Sequence, residues 1–292
     1  MSQRWKADLA LTGVCLIWGA TFVLVKEALN AVSTMLFLTL RFALAAIALW
    51  FVFRGRGSHF PRNRKRELAI GALVGFCLFS GYVLQTMGLR YTTAAKAGFI
   101  TGFYIVLVPV FNAILRRRMP QLSEAAGVIA SAVGMAMMTL NSFSLSIGVG
   151  DLLVLGCTVA YAAHILVLGH FSGTMSYETL AVNQIATGAV IGALTFWWVE
   201  TPRFALTTGV VAALGVTSLL ATALAFSIQS WAQQFTTPTR TALIFALEPV
   251  FAWITSFLVA GETLTARATL GAVLILAGIL LVELKPFRLS TG

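Results

Sequence analysis

The chain has 292 residues, 59% of them hydrophobic and only 10% charged, with a mean hydropathy of +0.90 and a formal net charge of +10. Soluble domains are near a quarter charged, so this composition excludes a water-soluble globule and points to a bilayer. Its three cysteines lack a CxxC spacing and it has no HExxH, GxxxxGK[ST] or paired-aspartate motif, so neither a metal, a cofactor nor an enzyme is expected.

A helical crossing takes about 20 mostly apolar residues. Ten such segments follow one another: Leu9–Val25, Ser33–Phe53, Leu68–Leu89, Ala97–Leu115, Ala125–Leu140, Leu152–Leu168, Thr179–Val199, Gly209–Ala232, Thr241–Ala260 and Ala268–Val282. None alternates apolar and polar residues as barrel strands do, so the expected fold is an all-α polytopic membrane protein. With the N terminus inside, the inner loops hold Arg4, Lys6, Arg54, Arg56, Arg62, Arg64, Lys65, Arg66, Arg116, Arg117, Arg118, Arg240, Lys285 and Arg288. The outer side holds Lys26, Arg90, Lys96, Arg203 and Arg267, and Arg41 alone lies within a segment. That excess places both termini in the cytoplasm. It also makes the run Arg62–Glu67 a topology signal, so no nucleic-acid partner is expected.

The chain repeats itself at an offset near 144. Asp8-Leu9 matches Asp151-Leu152, Gln85 matches Gln229, Thr92-Thr93 matches Thr236-Thr237, Lys96 echoes Arg240, and Gly127 and Gly134 match Gly271 and Gly278. Pro109-Val110-Phe111 resembles Pro249-Val250-Phe251, which implies about four extra residues in the first copy. The expected repeats are residues 1–142 and 143–292. Five crossings each is an odd number, so the halves are inverted, as in many secondary transporters whose site lies near the midplane between them.

In chain order, Trp5 and Lys6 suit the inner interface. Leu9–Val25, which contains Trp18, is a retained helix rather than a signal peptide, because its counterpart Leu152–Leu168 is internal. Arg41 sits mid-segment, where a charge needs a wet cavity or a partner. Tyr82 and Gln85 share a helical face, and Phe226 and Gln229 repeat the spacing. Tyr104 adds an aromatic hydroxyl in the fourth segment. Gly127-x-x-x-Ser131-x-x-Gly134 and Gly271–Gly278 predict close packing of the fifth and tenth helices, within one chain or between protomers; the expected assembly is a monomer. Tyr161 and His164 lie three apart, His164 a candidate proton shuttle or a structural histidine. Gln184 occupies the place equivalent to Arg41. Glu248 stands before Pro249, which loosens its helix. Depth arithmetic at about 1.5 Å per residue puts Arg41 and Glu248 both near the midplane and predicts that they pair.

The motifs WGATFVLVKEAL at Trp18–Leu29, LRFALAAIAL at Leu40–Leu49 and LEPVFAWITSFLVAGETLT at Leu247–Thr265 resemble the EamA-type branch of the drug/metabolite transporter superfamily. The resemblance covers essentially the whole chain in two units. It matches Glu248 and Gly261-Glu262 in the second unit, whereas Arg116-Arg117-Arg118 replaces the latter in the first. It implies export of small metabolites from the bacterial cytoplasm across the inner membrane. An aromatic interior of Trp18, Tyr82, Tyr104, Tyr161 and Trp253 suggests YddG-like amino-acid exporters within it. The expected substrate-binding residues are Trp18, Arg41, Tyr82, Gln85, Tyr104, Tyr161, His164, Gln229 and Glu248. The expected partners are a small-molecule substrate and the lipid bilayer. Proton-coupled multidrug or other metabolite efflux is the alternative, and a membrane receptor or scaffold a further one.

Overall fold

The computed structural model describes residues 2–55, 63–92, 94–117, 119–140, 147–260 and 265–283. Its elements are helical: α1 Gln3–Ala28, α2 Thr34–Phe53, α3 Arg64–Gly88, α4 Ala94–Gly102, α5 Tyr104–Arg116, α6 Leu122–Thr139, α7 Val149–Phe171, α8 Tyr177–Val199, α9 Thr208–Ser218, α10 Ala225–Ala232, α11 Pro238–Phe245, α12 Glu248–Ala260 and α13 Ala266–Glu283. A π-helical turn, Leu219–Leu224, joins α9 to α10. Among the described residues the only extended pairing is an isolated bridge between Val32 and Phe204.

Short polar residues start these helices. Side chains of Ser2, Asn63, Ser176, Thr207 and Thr237 each accept a backbone N–H three residues on, and Pro238 follows Thr237 where its missing N–H costs nothing. Seven helical stretches are long and apolar enough to cross a membrane: Thr34–Phe53, Arg64–Gly88, Lys96–Arg116, Leu122–Thr139, Val149–Phe171, Tyr177–Val199 and Thr208–Ala232. Leu258, Trp198, Leu194 and Ile129 are mostly exposed on the outside of the bundle, which suits lipid rather than water. This is a multi-pass helical membrane protein.

Three of the segments expected to be continuous are interrupted. The fourth breaks at Phe103, where the N–H bonds back three residues to the Ile100 carbonyl at 3.1 Å. The eighth contains the π turn. The ninth breaks at Ala246-Leu247, where tight bonds to the Leu243 and Ile244 carbonyls replace the α-helical ladder. Pro249 explains that break, since its ring collides with the carbonyl four residues back, that of Phe245.

The helix bounds correct the expected register of the PVF match. Thr208–Ala232, Glu248–Ala260 and Ala266–Glu283 begin and end 144 residues after Arg64–Gly88, Tyr104–Arg116 and Leu122–Thr139. Glu248 therefore answers Tyr104, and there are no extra residues in the first copy. Pro109 and Pro249 are about one helical turn out of register, which keeps both on nearly the same face and makes the sequence match deceptive.

The small-residue stripe joins α6 to α13 within one chain. A Cβ on Gly127 would lie 2.6 Å from the Gly278 carbonyl oxygen, and Gly134 faces Gly271 in the same way, so the two backbones touch. Elsewhere α1 packs on α9, α10, α11 and α12, while α7 packs on α3, α4 and α5. Two ion pairs reinforce these contacts: Asp8 on α1 with Arg240 on α11 at 3.2 Å, and Asp151 on α7 with Lys96 on α4 at 2.6 Å. Lys96 and Arg240, expected among the loop charges, lie within helices. Arg240 is in fact buried, 5% exposed.

Candidate functional site

A cavity of about 460 Å³ lies where α1, α2, α3, α4, α5, α7, α10, α11 and α12 converge, and all nine expected residues line it: Trp18, Arg41, Tyr82, Gln85, Tyr104, Tyr161, His164, Gln229 and Glu248. Phe226, Phe245, Thr86 and Thr101 also line it and were not among the expected residues. Phe226 could have been found, because the 144 offset pairs it with Tyr82. The same offset pairs Thr101 with Phe245, two residues too unlike for a sequence match to register.

Arg41 is held by three protein acceptors. Its Nε donates to Thr222 Oγ1 at 2.7 Å, and its Nη2 donates to Tyr82 Oη at 3.2 Å and to the Ala221 carbonyl at 3.3 Å. The guanidinium carbon also stands 4.9 Å from the centroid of the Tyr82 ring. The π turn is what makes this possible. Its wider ladder offers the Ala221 carbonyl to side chains, and Trp18 Nε1 donates to the same oxygen at 2.9 Å. A helix bulge with no sequence signature thus fixes one residue from α1 and one from α2.

The expected pair between Arg41 and Glu248 does not form: among the described residues neither joins an ion pair, and the π turn takes Arg41 instead. Glu248 opens α12 directly after the helix break. Its carboxyl makes no hydrogen bond or ion pair among the described residues. Gly19 brings α1 against this point, since a Cβ there would lie 2.7 Å from the Ala252 nitrogen and 3.0 Å from the Glu248 carbonyl oxygen. Trp18 is consequently held close to the α12 backbone, with its ring 4.9 Å from Phe245 and 5.6 Å from Phe226.

The remaining polar residues are held in chains. His164 Nε2 bonds Gln184 Oε1 at 2.9 Å, and Gln184 Nε2 donates to Ser230 Oγ at 2.9 Å. Gln184 is fully buried and does not reach the cavity, although it occupies the place of Arg41 in the second half. Tyr161 Oη donates to Gln85 Oε1 at 3.4 Å, and Gln85 Nε2 donates to Thr101 Oγ1 at 3.1 Å. Gln229 Nε2 donates to Gln233 Oε1 at 3.1 Å, leaving its own Oε1 buried without a donor. Trp253 packs against the core beside α12 and is not in the cavity wall. Gly261 and Glu262 lie outside the described residues.

A helical membrane fold around an aromatic cavity with polar groups in its wall defines the class of a small-molecule carrier. The sequence pattern of the EamA-like transporter family matches residues 5–140 and again 148–284. The chain belongs to this family, within the drug/metabolite transporter superfamily. An uncharacterized transporter of Archaeoglobus fulgidus is 35% identical over 97% of this chain and 87% of its own. The uncharacterized transporter YvbV of Bacillus subtilis is 27% identical over 97% and 93%. An S-adenosylmethionine/S-adenosylhomocysteine transporter of Chlamydia muridarum is 33% identical over 89 residues, 30% of this chain and 27% of that one. One solved crystal structure superposes with a TM-score of 0.80 over 96% of both chains at 17% identity, a likeness of fold.

Proposed function

We propose that this protein is a secondary transporter that exports small metabolites, amino acids foremost, across the bacterial inner membrane by alternating access. It crosses the membrane ten times as two inverted repeats, residues 1–142 and 143–292, with both termini in the cytoplasm. It works as a monomer and is no enzyme. The observation that carries the reading is the cavity: one space where early and late helices converge, with a cation and a carboxyl in an aromatic wall.

Three further observations support it. The family pattern matches twice, once in each half. Helix bounds recur at the offset of 144. Packing partners exchange as well, α1 meeting the late helices as α7 meets the early ones. Substrate enters from the cytoplasm, lies among Tyr82, Gln85, Tyr104, Tyr161, His164 and Gln229, and leaves when the bundles rock. The aromatic wall favours the YddG-like amino-acid exporters, with Arg41 offering its remaining Nη1 donor to a substrate carboxylate. The Chlamydia relative favours a second reading, efflux of another metabolite such as S-adenosylmethionine.

The test is uptake of labelled amino acids and S-adenosylmethionine into liposomes holding the purified protein, with and without a pH gradient. Amino-acid flux that ignores the gradient supports facilitated export, and flux that requires it supports proton antiport. Flux of S-adenosylmethionine alone moves the substrate to the second reading, and no flux of either sinks both.

A further inference from the structure

Resting on the transport reading, we infer that the cavity recognises a protonated amine and that Glu248 is its counter-ion. The substrate is thus defined by its ammonium group, and a carboxylate on it is optional.

Arg41 has given Nε and Nη2 to Thr222, Ala221 and Tyr82. His164 is engaged by Gln184, Gln85 by Thr101 and Tyr161, and the Trp18 N–H by the Ala221 carbonyl. Besides the Nη1 edge of Arg41, three cavity groups have no partner among the described residues: the Glu248 carboxyl, Gln229 Oε1 and the Tyr104 hydroxyl. All three can accept hydrogen bonds, and one is ionisable. Gln229 is 1% exposed and its oxygen lies behind the wall, so the groups that face the space directly are Glu248 and Tyr104.

Position strengthens the case. Tyr104 and Glu248 open α5 and α12, the second pieces of the two broken segments, so both breaks turn these side chains to one space. Trp18 and Phe245, 4.9 Å apart, add ring faces that attract cations. A half-buried carboxyl in an aromatic wall has few donors around it, and an ammonium with three donors supplies what this wall lacks. An anionic ligand would meet bare acceptors and, of Arg41, only the Nη1 edge that Thr222, Ala221 and Tyr82 leave over.

The experiment compares three ligands of one shape: phenethylamine, phenylalanine and 3-phenylpropionate. Binding to the purified full chain in detergent is followed by quenching of tryptophan fluorescence, in wild type, Glu248→Gln and Glu248→Asp. Phenethylamine and phenylalanine are expected to bind and 3-phenylpropionate not. Glu248→Gln should weaken phenethylamine about tenfold or more, and Glu248→Asp should recover part of the loss. Size-exclusion profiles and melting curves show that each variant is folded; an unfolded Glu248→Gln leaves the decision to Glu248→Asp and the ligand comparison. The inference is overturned if 3-phenylpropionate binds as well as phenethylamine, or if phenethylamine does not bind. It is equally overturned if Glu248→Gln abolishes gradient-driven flux while phenethylamine affinity stays the same, which would make Glu248 a proton carrier. Because binding is measured without transport, flux in liposomes can stand while this inference fails, and the reverse.

Discussion

Arg41 shows how a single charge is kept at membrane depth. Replacing it with lysine would keep the charge and lose the fork that reaches Thr222, Ala221 and Tyr82 at once. Thr222 provides the shortest of those contacts and does not itself line the cavity. We expect Thr222→Val to lower stability by about 2 kcal/mol, the usual worth of a hydrogen bond to a charged group. A fall in the thermal midpoint of the protein in detergent would be the readout. A midpoint equal to wild type would mean that the Ala221 carbonyl and Tyr82 hold Arg41 without help. Tyr82→Phe is the milder change, since the ring that faces the guanidinium remains while one 3.2 Å contact is lost.

At the scale of helices, two kinds of join hold the bundle. The first is direct backbone contact between α6 and α13, where a side chain on Gly127 has nowhere to go. Gly127→Leu should therefore destabilise the protein by about 3 kcal/mol, the upper range for overpacking, whereas Gly13→Leu, at a glycine with nothing within 4 Å, should be nearly silent. Equal melting of the two variants would argue against helix contact as the reason for the glycine stripe. The second is the couple of ion pairs. Asp8–Arg240 is enclosed, with side chains 13% and 6% exposed, whereas Lys96 in the other pair is 26% exposed. Water weakens the latter more, so Arg240→Ala should cost about 3 kcal/mol and Lys96→Ala less. The exchange of Asp8 and Arg240 (D8R with R240D) should recover much of the loss; a double variant worse than either single one would refute a charge-based join. These joins also show what a sequence can and cannot yield. The small-residue spacing announced the α6–α13 contact because glycine in an apolar run has few other uses. Nothing announced that Asp8 meets Arg240, because the repeat aligned Asp8 with Asp151 and Arg240 with Lys96, whereas the fold pairs them crosswise. The π turn lies in LLATAL, an ordinary apolar run, so Thr222 could not be read as the partner of Arg41. The cavity residues were legible for the opposite reason: ionisable and amide groups inside apolar segments are costly, so Arg41, Gln85, His164 and Glu248 stand out, although Gln184, equally conspicuous, does not reach the cavity.

For the whole molecule, the cavity has a direction. Leu29 follows α1, Phe37 lies in the first turn of α2 and Leu89 follows α3, and all three line it. These are helix ends remote from the N terminus. At the other end, Asp8 pairs with Arg240, Ser172 Oγ donates to the Gln233 carbonyl at 3.0 Å, and Gln233 Nε2 donates to the Ile165 carbonyl at 2.9 Å. The molecule is thus tied at the end of its N terminus, and the cavity reaches towards the opposite one. If the termini are cytoplasmic, as proposed, this is the state that releases substrate to the outside. Two consequences can be checked together in intact cells. A membrane-impermeant thiol reagent should label Leu29→Cys and Leu89→Cys from outside, and an exported substrate should protect both. Asp8→Cys should resist the reagent from outside. The native cysteines set the background, and Cys15 and Cys157 are buried. Labelling of Leu29→Cys only in inside-out vesicles would reverse the orientation and turn the same cavity towards uptake. Equal labelling from both sides would mean a through-going pore, which the tied end contradicts. The outcome depends on how α1 is shared: it lines the cavity with Trp18 while its first turns are bound to α11. Movement that frees Asp8 from Arg240 must therefore also move Trp18 away from Phe245 and Glu248. Opening at one end and loosening of the site would be a single motion of one helix.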